Sequence, residues 1–88
     1  MSLDDFLAEV RAEVLRAQAK FPANSLATVA LMEEVGELAK ALLDESPERV
    51  RAEAVQVACM AFRAGIEGDN DASLDAHRRK RGLGEVGP

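Results

Sequence analysis

Residues 47–66 read as a helix that is apolar almost all the way round. Val50, Ala54, Val55, Val57, Ala58, Cys59, Met60, Ala61 and Phe62 are spread over most of its circumference, and only Arg49, Gln56, Arg63 and Glu67 gather on a polar strip. A helix that is apolar on most sides is buried on most sides. The whole chain has 88 residues, enough for one small domain, and a domain of that size has little material with which to cover such a helix. The pattern therefore predicts that a second subunit completes the cover. Composition points the same way. Sixteen of the apolar residues are alanines, with three Phe and no Trp or Tyr. Alanine contributes little area at roughly 25 cal/mol per Å² of buried apolar surface. Small helical chains with thin cores gain stability by oligomerising or by binding a metal.

Several classes are excluded. The only cysteine is Cys59, so an intrachain disulfide or a cysteine-based zinc site cannot form. No run of about 18 apolar residues exists, so no membrane span is expected. The opening Met-Ser-Leu-Asp-Asp is acidic, unlike the basic start of a signal peptide, and a reduced, cytoplasmic setting is expected. Charge is unevenly placed. Residues 1–75 hold 15 acids against 7 bases, whereas residues 76–88 hold four bases, Arg78, Arg79, Lys80 and Arg81, against one acid. An acidic body argues against nucleic acid as a partner and suits a protein that gathers cations. We expect a single all-α domain over 1–75 and a basic, flexible tail over 76–88. The plain reading of that tail is a solvated terminal run; the sharper one has it fold back on an anionic ligand.

Three substantial helices and a short C-terminal one are expected. The first runs from about Leu3 to Lys20, opened by Ser2 with Asp5 in the manner of a capping box. Leu3, Phe6, Leu7, Val10, Val14 and Ala17 form its apolar stripe. Phe21-Pro22-Ala23-Asn24 breaks it. The second runs from about Ser25 to Leu43, with Leu31, Val35, Leu38 and Leu42 as its seam. Ser46 as N-cap and Pro47 at the first helical position start the third, which Gly65 and Gly68 end near Ile66. Asn70 or Asp71 would cap a short helix through about Arg79, and Gly82, Gly84 and Gly87-Pro88 mark a frayed end. The architecture expected is a helical bundle completed by oligomerisation.

The residues that do not suit a core are Glu34, Glu37 and Glu53, with Glu33 and Gln56 beside them. At 100° per residue Glu34 has Ala27, Leu31, Leu38 and Ala41 as surface neighbours, and Glu37 has Ala30 and Ala41. Glu53 lies among Val50, Val57, Met60 and Ala64, with Gln56 one turn on. No lysine or arginine lies on the same strip: Lys40 falls nearer Glu33 and Gly36, and Arg49 and Arg63 flank Gln56. Desolvated carboxylates cost several kcal/mol unless compensated, so three acids converging between two helices call for a cation. Oxygen ligands without His or Cys favour magnesium first and manganese second. Any single glutamate here is more simply a surface residue, and Glu33, with Lys40 and Asp44 on the polar edge, is read so. His77 is read as a surface residue of the tail. Cys59, Phe21 and Phe62 are read as core residues.

Leu31-Met-Glu-Glu-Val-Gly-Glu-Leu-Ala-Lys-Ala-Leu-Leu43 followed by Glu53-Ala-Val-Gln-Val-Ala-Cys-Met-Ala61 resembles the MazG-like all-α nucleoside triphosphate pyrophosphohydrolases over about residues 20–68. Their signature is Glu-x-x-Glu, a spacer, then Glu-x-x-Asp. Glu34 and Glu37 match the first pair; Glu53 matches the second, with Gln56 in the aspartate place. The resemblance implies a helical dimer or tetramer, magnesium held by Glu34, Glu37, Glu53 and Gln56, and cleavage of a nucleoside triphosphate to the monophosphate and pyrophosphate. On it, Glu34, Glu37 and Glu53 do the catalytic work, and Lys40, Arg63, Arg78 and Arg79 are candidate contacts to substrate phosphates. Gln56 can ligate through its amide oxygen but is neutral, which lowers the charge of the site. Two other readings stay open. Phosphoribosyl-ATP pyrophosphatase shares the paired acids but retains the aspartate. A helical oligomer that binds nucleotides or partners without catalysis is favoured by Gln56.

Overall fold

A computed structural model describes residues 1–22, 27–68 and 78–84. It is all-helical among the described residues, with α1 over Leu3–Lys20, α2 over Ala27–Asp44 and α3 over Pro47–Glu67. The helix starts follow from their caps. Ser2 Oγ accepts from the Asp5 amide at 3.0 Å, and Ser46 Oγ accepts from the Arg49 amide at 3.3 Å with Pro47 opening the helix. These satisfy amides that a helix leaves without an internal partner. The expected start of the second helix at Ser25 and the expected cap at Asn70 or Asp71 lie outside the described residues, as does His77. Gly65 does not end α3. It sits inside the helix, and Gly68 terminates it with φ 78°, its amide donating to the Ala64 carbonyl. That conformation favours glycine. Residues 78–80 form a short helical turn.

Helix α3 lies between the other two. It packs on α2 and on α1, which do not touch each other among the described residues. Its wide apolar circumference is explained by this double contact, so the cover expected from a second subunit comes in large part from within the chain. The core sits on the α1 side, where Val10, Val14 and Ala17 meet Val55 and Cys59, with Phe6 and Ala58 at its edge. Cys59 is 1% exposed, as a packed core residue should be.

The uncovered apolar surface lies elsewhere. The α1 stripe is buried along one edge but leaves Leu3 and Leu7 exposed. On α2, Ala41 is fully buried while Val35 and Leu42 of the expected seam are exposed and Leu31 and Leu38 half-buried. Small Ala41 allows α2 to lie close to α3, and the larger residues are turned outward. Phe21 and Phe62, expected in the core, are 55% and 48% exposed. Phe21 stands past the last turn of α1, and Phe62 lines the rim of a groove of about 500 Å³ between α1 and α3, with Leu7, Leu15 and Ile66.

Ser46→Ala removes the acceptor that caps α3, the helix on which both others rest. It should lower stability by about 1 kcal/mol, read as a lower urea midpoint with an unchanged slope.

Candidate functional site

The α2–α3 contact brings two carboxyl groups together. Glu34 projects from the middle of the α2 face turned to α3, between Leu31, Leu38 and Ala41, and is half-buried. Glu53 is 8% exposed. The Glu34 carboxyl lies close enough to Glu53 for that acid to help it keep its proton. Burial pushes the Glu34 pKa up, and the hydrogen bond to Glu53 and the charges of Glu53, Glu37 and Glu33 push it the same way. A full negative charge on Glu34 is therefore costly, and a proton or a nearby cation relieves it.

Glu37, one turn beyond Glu34, is exposed at the edge of this seam, and Glu33 is exposed on the outward side. Among the described residues no group of three His, Cys, Asp or Glu side chains is gathered as a metal-holding cluster. The expected quartet is therefore divided. Glu34 and Glu53 meet and Glu37 stands beside them. Gln56 stands on the α1 side instead, near enough to Glu13 to help hold that carboxyl below its ordinary pKa. Residues 53 and 56 are about 60° apart on the helix, enough for one to face α2 and the other α1.

The cations are also placed differently from expectation. Arg49 Nη2 donates to Glu53 Oε1 at 2.6 Å, and its Nε lies 3.7 Å from Glu45. Residues four apart are neighbours on a helix and an arginine reaches one turn, so the strip does hold a compensating cation. The Arg49–Glu53 spacing was the available signal; nothing in the sequence pointed to Glu13. Arg63, expected against substrate phosphate, is 3% exposed. It donates through Nε and Nη2 to Glu67 at 2.8 Å, and through Nη2 to the Phe21 carbonyl at 2.6 Å. Gln18 donates to the same Glu67 at 2.9 Å. Arg63 thus ties the end of α1 to α3. Lys40 is exposed on α2. Arg78 donates to the carbonyls of Gly84 and Leu83 within its own turn, and Arg79 is exposed there. No helix among the described residues is long and apolar enough to cross a membrane. Compared with protein-family models, curated proteins and solved structures, the chain matches none.

Breaking a buried ion pair from one side leaves a stranded charge and is strongly destabilising. Arg63→Met should lower stability by about 3 kcal/mol. Arg63→Lys should not rescue it, since an ammonium cannot serve Glu67 and the Phe21 carbonyl with one planar fork. Chemical denaturation of the two variants checks this.

The pH dependence follows from opposed groups. Glu34, with its pKa raised above the ordinary 4.5, binds its proton more tightly in the folded chain than in the unfolded one. Its contribution to stability falls as pH rises from 4.5 through the raised value. Glu13 and Glu67, held low by hydrogen bonds from Arg16 and Arg63, contribute above 4.5 and lose that contribution as pH falls below it. Glu34→Gln should therefore raise the melting temperature at pH 7 and flatten its dependence on pH above 4.5. A variant that melts lower than the parent at pH 7 would contradict this account.

Proposed function

We propose that the protein is a magnesium-dependent nucleotide pyrophosphohydrolase of the MazG-like kind, acting in the cytoplasm as a homodimer or homotetramer. The observation that carries the reading is the meeting of the Glu34 and Glu53 carboxyls between α2 and α3, with Glu37 one turn away. Arg49 offsets one of the three charges, and the two that remain match a divalent cation. An all-oxygen donor set fits magnesium, with manganese as a substitute. Glu34, Glu37 and Glu53 would hold it. Gln56, which stands on the α1 side near Glu13, is left out of this set.

Bound magnesium would neutralise triphosphate oxygens and keep waters in place for attack. The chain's own residues supply the rest. Glu53, fixed on α3 by Arg49, and Glu34, fixed on α2, hold acceptor oxygens across the seam. Glu37 has room at the exposed edge to orient a water. Lys40, further round α2, is the first candidate for a phosphate contact, and Arg78 and Arg79 follow. Arg63 takes no part, its guanidinium being occupied by Glu67 and Phe21. A second reading, a helical module that binds nucleotide without turnover, is favoured by one observation: the neutral Gln56 faces Glu13 rather than the acids.

The experiment is pyrophosphate release from a panel of nucleoside triphosphates with magnesium. Release is expected from at least one of them, falling about a hundredfold or more in Glu53→Gln and Glu37→Gln. No release from any would favour the second reading. Separately, millimolar magnesium should raise the melting temperature of the parent chain and not that of Glu34→Gln.

A further inference from the structure

We propose that the outward face of α2 is a self-pairing seam, closed by α2 of a second copy running antiparallel to it. This names the interface for the assembly part of the reading above and rests on that part, not on its chemistry. With Ala30, Glu34, Leu38 and Ala41 turned toward α3, the opposite side of α2 presents Val29, Met32, Gly36, Ala39 and Leu43 to solvent. Their spacing is three, four, three, four, the heptad pattern by which two helices pair. Val29, Met32 and Leu43 are 51%, 63% and 82% exposed, and nothing lies within 4 Å of where a Gly36 side chain would begin.

The charges beside this stripe decide what covers it. Glu33 and Lys40 flank one edge, both exposed and neither in an ion pair with a described residue. Val35 and Leu42 flank the other. In an antiparallel pair each edge meets its own copy. With the two-fold axis level with Glu37 and Leu38, Gly36 faces Ala39 of the partner subunit, and Met32 faces Leu43 of the partner subunit. In that one register Glu33 meets Lys40 of the partner subunit, twice by symmetry, and Val35 meets Leu42 of the partner subunit. Small residues at the centre let the helices approach closely, with larger ones filling the ends. A parallel pair would set Val35 against Lys40 of the partner subunit and match no charge. The groove between α1 and α3 is also lined mainly by apolar residues, but it carries Arg11 with no acid among its lining residues to match it.

Sedimentation equilibrium on the full chain tests this. The parent chain is expected to be a dimer, and Gly36→Glu a monomer with undiminished helix content by circular dichroism, since glutamate is the better helix former. E33K and K40E should each weaken the dimer by about tenfold. The double variant E33K/K40E should recover it, and mixing the two single variants should give a heterodimer. A monomeric parent chain would overturn both this seam and the assembly reading. A dimer indifferent to Gly36→Glu and to the charge swaps would overturn the seam alone and place the contact on another face, the α1–α3 groove first. Pyrophosphate release from the parent chain is a separate readout: a seam-dependent dimer without release supports the seam and counts against the hydrolase.

Discussion

Helices α1 and α2 each rest on α3 and make no contact with one another among the described residues, so α3 must serve two interfaces with one sequence. Its two sides are built on different principles. Toward α1 it offers Val55 and Cys59 to an apolar core and closes the far end with a buried arginine whose charge is matched. Toward α2 it offers Glu53 to another acid. One interface is satisfied from within the chain. The other is satisfied only in part, by Arg49, and keeps an excess of negative charge.

That asymmetry separates stability from chemistry. The matched Arg63–Glu67 pair and the core it borders hold α1 in place, and they are remote in character from the acids on the other side. The α2 seam owes its close approach to Ala41; a larger residue there would move Glu34 away from Glu53. A seam of this kind gives up packing energy to bring like groups together, an arrangement more typical of a binding site than of a core.

Much of this was legible in the sequence. The starts of α1 and α3 followed from Ser2, Ser46 and Pro47, whose capping role is local. The surroundings of Glu34 followed from helical geometry alone. What failed to follow was which way each helix turns. Val35 and Leu42 belong to the same apolar band as Leu31 and Leu38, and periodicity does not say that the band is wider than its contact. Arg63 read as a candidate phosphate contact on a polar strip because a single helix wheel cannot show that Phe21 and Gln18 arrive beside it from α1 and its flank. Gln56 was grouped with Glu53 because three-residue spacing puts both on one broad face; an α3 held between two helices divides that face. Long-range pairings such as Gln56 with Glu13 left no mark in local spacing.

The lone thiol gives the α1–α3 interface a built-in reporter. Cys59 sits in the middle of that core, and burial pushes its pKa up, so as it stands it is both shielded and poorly nucleophilic. An alkylating reagent reaches it only when α1 lifts from α3. The rate of labelling therefore measures how often that half of the molecule opens, independently of anything that happens at the acids on the other side of α3.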